Sequence, residues 1–534
     1  MNELLIELDA DAKIPLYGQI YEYIRRGIMD GRLSCGERLP SARLLAANLK
    51  ISRSTADAAY QQLVSEGYLQ AKRGSGYYVS DVTGLYDFAG NMFRRPGDLA
   101  GSRNNRGSKN STEIRGNKER KTDIGNRSDR EGTSWTDTGS PYGKEDGRSG
   151  DETQTGLKPL YNFLPGQIDD SGFAYNAWRK CAKEALLELE TRHCLLPAGH
   201  PQGEYALRKA ITAYLYQARG VRCEPEQMII GAGNEYLLQL LGQILGGPQT
   251  VAMESPTYLP AYHTFCNIGN QVLAVPMDLE GMQVEKIPDG TTLAYVMPSH
   301  QFPLGAVMPL RRRLQLLAWA QGSAQRYIIE DDHDSEFRYK GRPIPALQGM
   351  AKQERVIYLG TFSNSIMPSI RISYLVLPQS LMEAYKTTCG FYASTVSRLQ
   401  QMTVCRFLEQ GYFERHLNKM RGIYKAKHDM LLQLLKDKTW VHRIYGDHAG
   451  LHLAAELDCG MTEDEVIRQA RSFGMALQGM SGCYLAGGKK PDARPVLLLG
   501  FGSLTQEQLW EGVGILERCV KCDSAFLAEM QQIT

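Results

Sequence analysis

A chain of 534 residues exceeds what one hydrophobic core sustains, because cores stop growing at roughly 250–300 residues, so more than one domain is expected. Hydrophobic residues at 43% and charged residues at 22% exclude wholesale disorder, and no apolar run approaches the roughly 20 residues of a membrane helix. A formal net charge of +2 supplies no global field for nucleic acid, so a DNA-binding reading has to rest on a local motif.

Residues 1–81 carry a compact pattern. Pro15 opens a helix whose Leu16, Ile20, Tyr23, Ile24 and Ile28 recur at helical spacing as far as Gly31. Ser41 caps a second helix with Leu44, Leu45 and Leu49 on one face. Ser52 caps a third, in which Ala59, Leu63 and Val64 turn inward and Gly67 stops the helix. YLQAKRGSGYYV then has two β-rich arms around a basic glycine turn and reads as a hairpin. Three helices and a hairpin make an α+β winged helix-turn-helix, a unit that lays the start of its reading helix in the major groove. Arg53 there suits a guanine edge or a phosphate, and Ser52, Ser54 and Thr55 suit phosphate oxygens. Arg43 from the preceding helix, with Lys72, Arg73 and Ser75 on the wing, extends the surface. Each residue alone reads as a solvated side chain; together they point to double-stranded DNA.

Residues 82–157 read as a disordered tether. From Gly97 to Gly156 the chain is almost devoid of apolar residues and cannot offset its ordering entropy. About 60 such residues reach on the order of 40 Å, enough for a head to cross to a partner subunit.

In residues 158–534, strand-like runs such as MIIGAG, QTVAMES, TLAYVM, RYIIEDD and RVIYLGTF alternate with helical segments, which predicts a mostly parallel α/β sheet covered by helices. From about Phe413, helices mix with GLHLAAEL and VLLLGF, as in a smaller α+β domain. GAGNEY joins a strand to a helix, where the amides of Gly233, Asn234 and Glu235 can cradle a phosphate, though a plain tight turn fits equally. Tyr258 in ESPTY can lie over an aromatic ring or belong to the core. Asp331 ends a buried strand, where acids usually face a ligand crevice. The eleven scattered cysteines read as reduced thiols; Cys519 and Cys522 lack a second pair, so no metal site is expected. The acidic start MNELLIELDADAK does not resemble a secretory leader, so a cytoplasmic protein without membrane contact is expected.

The segment from IPLYGQIYEYIRRGIMDGRL to KRGSGYYV resembles the winged-helix domain of GntR-type regulators along its whole length. YLGTFSNSIMPSIRISYLVLP resembles the cofactor-lysine segment of MocR regulators, the GntR subfamily whose effector domain has the fold-type-I aminotransferase architecture. SHQFPLGAVMP and YFERHLNKMRGIYKAKHD are similar to the same family. The resemblance implies a homodimer reading paired half-sites, a small-molecule effector, and pyridoxal 5'-phosphate held by Thr361, Ser363 and Arg371 at the phosphate, Asp331 at the pyridine nitrogen and a residue at position 333 near the ring hydroxyl.

Three departures bear on chemistry. Asn364 stands where the family has its Schiff-base lysine, and an amide can neither form that imine nor shuttle the proton, so no catalytic residue is assigned. His333 replaces the usual tyrosine, and Leu498 stands where many aminotransferases place an arginine for the substrate carboxylate, with Arg494 nearby. The sequence thus predicts a regulator that senses pyridoxal phosphate noncovalently, or an amino-acid-like ligand. Two other readings stay open: a body that has lost the cofactor and only dimerises, and a genuine aminotransferase with an accessory DNA-binding head.

Overall fold

The computed structural model describes residues 6, 8, 16–29, 32–34, 36–49, 51–65, 68–72, 76–79, 159–339, 345–351, 354–485 and 494–521. Pro15, Gly31, Gly67, Arg73, Ser75, Cys522 and the tether expected at 82–157 lie outside these residues.

In the N-terminal unit, α1 (Leu16–Met29), α2 (Ala42–Leu49) and α3 (Arg53–Ser65) precede an antiparallel hairpin of β1 (Leu69–Lys72) and β2 (Gly76–Val79). Ile20, Ile24 and Ile28 form the buried stripe of α1, which packs on α3 through Ala56, Ala59, Tyr60 and Leu63. Both caps are made: Ser41 Oγ accepts from the Leu44 amide at 3.2 Å and Ser52 Oγ from the Thr55 amide at 3.2 Å. The face expected of α2 is corrected. Leu45 is buried but Leu44 is 41% exposed, because one residue of helix turns the side chain about 100° and Ala42, Leu45 and Ala46 already fill the stripe. Tyr23 and Val64 are half-buried rather than core. The wing gains a third segment that the sequence did not announce: the Gly36 amide donates to Val79 O at 2.9 Å and the Leu39 amide to Tyr77 O at 3.0 Å.

The second unit opens with β3 (Tyr161–Asn162), α4 (Tyr175–Thr191) and α5 (Tyr205–Arg219). There follow β4 (Met228–Gly231), α6 (Asn234–Ile244), β5 (Thr250–Ser255), α7 (Leu259–Asn267), β6 (Gln271–Asp278), β7 (Gly281–Met282), β8 (Leu293–Val296), α8 (Leu310–Gln321), β9 (Tyr327–Asp331), α9 (Leu347–Met350), β10 (Val356–Thr361) and β11 (Ser373–Val376). MIIG, LAYV and SYLV are buried along their whole length, the signature of sheet covered on both faces. The eight strands lie in the order β4-β11-β10-β9-β8-β5-β6-β7. From β10 to β6 all neighbours run parallel, whereas β11 is antiparallel to both β4 and β10.

Helices α10 (Gln379–Thr388), α11 (Arg398–Glu409) and α12 (Tyr412–Lys436) lead to the smaller domain. It comprises β12 (Val441–Tyr445), β13 (His452–Leu457), α13 (Glu463–Ser472), β14 (Met475–Ala476), β15 (Gln478–Gly479), β16 (Val496–Gly500) and α14 (Gln506–Val520), with an antiparallel sheet ordered β12-β13-β16-β15. The alternation read from the sequence is thus a large mixed sheet flanked by helices and closed by an α+β domain. Among the described residues, no helix is long and apolar enough to cross a membrane.

Candidate ligand pocket and DNA-reading face

The sheet order assembles the pocket. Inserting β11 between β4 and β10 places Thr361, Ser373 and Gly231 in one row across three strands. Ser373 Oγ donates to Thr361 Oγ1 at 3.0 Å, and Ser363 Oγ lies 3.0 Å from the same hydroxyl. Beyond Gly231 the chain turns through Gly233, at φ 106°, into α6, so the Asn234 and Glu235 amides belong to its first turn. A Cβ on Gly233 would sit 2.1 Å from Arg371 Nη2, so only glycine allows the guanidinium to approach this turn. Arg371 itself is in the left-handed region at φ 49°, and its Nη2 donates to Glu235 Oε2 at 3.0 Å. Backbone amides, hydroxyls and a guanidinium therefore converge on one spot, now countered by the Glu235 carboxylate.

Asp331 ends β9 beside this cup and is buried. Burial pushes its carboxyl up to about 6. Tyr295 of the adjacent strand β8 donates to Asp331 Oδ2 at 2.5 Å, and Asn234 Nδ2 is 3.5 Å from that same oxygen. Oδ1 accepts no hydrogen bond from any described residue. The Tyr258 ring, half-buried at the start of α7, meets Phe302 edge-on at 6.0 Å. Burial raises its hydroxyl most, followed by the charges of Glu235 and Asp331, with Arg371 opposing; Tyr258 thus lies within electrostatic reach of both the cup and the acid.

The other side of the pocket is where the sequence departs from its relatives. Asn364 Nδ2 donates to Asp334 Oδ1 at 2.5 Å, and His333 Nε2 lies 3.3 Å from Asp334 Oδ2. Burial opposes the charge on Asp334, but the facing His333 and the Asn364 hydrogen bond outweigh it and hold the carboxyl below its ordinary range. His333 stacks on His300 at 6.4 Å, and burial pushes His300 down to about 3, so this ring is neutral. Leu498 is fully buried with Ala454, Met480, Cys483 and Val496, packed against Phe302. Arg494 pairs with Asp458 at 3.4 Å. Tyr295, Ser373, Asp334 and Phe302 were missed in the sequence reading. Asp334 lay within IIEDDHD and Phe302 within SHQFPLG, whereas Tyr295 and Ser373 arrive only through strand pairing.

On the N-terminal unit, Arg43, Ser52, Arg53 and Ser54 are exposed and Thr55 is half-buried. The three hydroxyls cluster at the start of α3, with Ser52 Oγ 2.8 Å from both Ser54 Oγ and Thr55 Oγ1. The Arg53 side chain is 72% exposed and pairs with Asp57 at 3.3 Å. Lys72 ends β1 at the wing turn, and Arg38 brings its guanidinium within 3.6 Å of where a Cβ on Gly76 would stand, adding a cation that the sequence reading did not name. An Arg53→Ala variant is expected to fold with unchanged thermal midpoint while binding its promoter fragment about 5- to 100-fold more weakly, as read by fluorescence anisotropy at fixed salt. Unchanged affinity would remove Arg53 from the reading surface.

Comparison with known proteins agrees with both halves. Residues 16–79 match the bacterial regulatory proteins of the gntR family, and residues 169–513 match aminotransferase class I and II. The uncharacterised HTH-type transcriptional regulator YdeL of Bacillus subtilis (strain 168) is 36% identical over 96% of this chain and 98% of its own length. The probable rhizopine catabolism regulatory protein MocR of Rhizobium meliloti is 30% identical over 98% of this chain and 96% of its own. An archaeal alanine:glyoxylate aminotransferase superposes with a TM-score of 0.62 at 23% identity, covering 69% of this chain and 92% of that one, which supports the fold. A winged helix joined to a fold-type-I aminotransferase body, with relatives of this kind along nearly its whole length, places the chain in the MocR subfamily of GntR-type transcription regulators.

Proposed function

We propose that the aminotransferase-like body senses a phosphorylated pyridine of the vitamin-B6 type, or an amino-acid adduct of it, held without a covalent bond, and that it does not transfer amino groups. The open Oδ1 of Asp331 carries this reading. Tyr295 and Asn234 fix the carboxylate through its other oxygen, leaving one buried anionic acceptor for a protonated ring nitrogen. The approach of the Arg371 guanidinium to Gly233 fits the phosphate end. When bound, such a ring supplies an aldehyde or amine carbon conjugated to an electron-withdrawing pyridine. Arg371, Thr361, Ser363 and the α6 amides would hold its phosphate, with Glu235 giving way; Tyr258 would cover its face, and His333 would meet the ring hydroxyl. Asn364 offers no amine for covalent attachment, which sets this body apart from an aminotransferase with an accessory head. We further propose that the chain acts in the cytoplasm as a homodimer whose two heads read paired half-sites through Arg43, Ser52, Arg53, Ser54, Thr55, Lys72, Arg73 and Ser75.

Titrating the full chain with pyridoxal 5'-phosphate is expected to give saturable, dialysable binding, no mass increase after borohydride, and a changed affinity for a promoter fragment. A borohydride-fixed adduct at a pocket lysine, turnover of amino donors, or absence of any binding would overturn the proposal.

A further inference from the structure

We infer that the pocket selects the amine form of the ring, pyridoxamine 5'-phosphate, over the aldehyde; the inference rests on the ligand class proposed above. The reason lies in which atoms of the Asn364–Asp334–His333 cluster are already used. Asp334 is buried and anionic, so the amide of Asn364 has only one sound orientation, with Nδ2 donating to Asp334 Oδ1 at 2.5 Å. Asn364 Oδ1 is then an acceptor with no partner among the described residues. On the other carboxylate oxygen, His333 Nε2 lies at 3.3 Å, so both oxygens of Asp334 are already engaged. His300, stacked behind, is neutral and adds no positive charge.

At Asn364 a ligand therefore meets an acceptor backed by an anion. In the proposed placement Asn364 stands at the lysine position, opposite the ring's exocyclic C4' carbon. A primary amine there donates an N–H to Asn364 Oδ1, and as an ammonium it is drawn to Asp334. A carbonyl oxygen at the same carbon brings a second acceptor against the first and leaves both unsatisfied. The ring hydroxyl would meet His333 in either form and so does not discriminate.

Equilibrium dialysis of the full-length protein against pyridoxamine 5'-phosphate and pyridoxal 5'-phosphate, counting only released ligand, tests this. We expect the amine to bind about ten-fold more tightly or better, as one satisfied rather than opposed hydrogen bond requires. Asn364→Ala, checked for an unchanged thermal midpoint, should bring the two affinities together. Asn364→Lys should reverse the preference by condensing with the aldehyde, losing water and giving a borohydride-fixable adduct. Equal or tighter noncovalent binding of the aldehyde by the natural chain overturns the selection and leaves the ligand class standing. Binding of neither compound overturns the ligand class, and the selection with it.

Discussion

Replacing Arg219 with alanine is expected to lower the unfolding free energy of the body by about 3–5 kcal/mol, the cost of leaving a buried charge without its counter-ion. Arg219, at the end of α5, donates to Asp332 through Nε at 2.7 Å and Nη2 at 2.9 Å, with both side chains only 4% exposed. Tyr358 and Ser335 donate to the same carboxylate, and Arg219 Nη2 also reaches Ser299 Oγ at 2.6 Å. Burial opposes the charge on Asp332, yet the Arg219 guanidinium and these hydroxyls hold its carboxyl below the ordinary range. The network fixes the residue immediately after Asp331, so strain there moves Asp331 as well. Thermal unfolding should show a midpoint lower by on the order of 5–10 °C in Arg219→Ala. The Arg219→Ala, Asp332→Ala double variant should lose less than the sum of the single changes, because neither charge is then stranded. Strict additivity would mean that the pair is not coupled.

How much of this was readable beforehand follows from the range of the interactions. The caps at Ser41 and Ser52, and Asp331 at the end of its strand, depend on neighbours within a few residues and were legible. So was Asn364, because one residue type settles what that position can do chemically. The role of Ser373 was not, since it needs β11 to run antiparallel beside Thr361, and strand order is not written in local periodicity. Tyr295 lies 36 residues from Asp331 and reaches it across the parallel β8–β9 pair. Leu44 was misplaced because a helix of eight residues with apolar side chains at both 44 and 45 does not say which one faces inward. Arg219 was passed over because a basic residue at a helix end reads as an ordinary C-terminal charge until its buried partner is known.

Asp331→Asn should separate binding from stability. The natural carboxyl is held at about 6 against an ordinary 3.8, with burial as the main cause. The folded state therefore binds its proton more tightly than the unfolded chain does. That contribution to stability is fully present below pH 3.8 and is lost as pH rises through about 6. At 1.36 kcal/mol per pH unit the loss is worth about 3 kcal/mol by neutral pH. An amide cannot ionise, and its oxygen can still accept from Tyr295 and Asn234, so the ligand-free variant escapes that loss. Its midpoint should exceed that of the natural chain at pH 7.5, and the gap should shrink toward zero below pH 4. Ligand binding should move the other way. An asparagine presents an amide N–H, not an anionic oxygen, to the ring nitrogen, and losing a charge-assisted hydrogen bond of about 1.5–3 kcal/mol weakens binding roughly 10- to 150-fold. A variant that is more stable at neutral pH yet nearly blind to the ring would mark Asp331 as a residue kept for recognition at the expense of the fold. Unchanged ligand affinity in that variant would take Asp331 out of the pocket's recognition set and with it the main support for a bound pyridine.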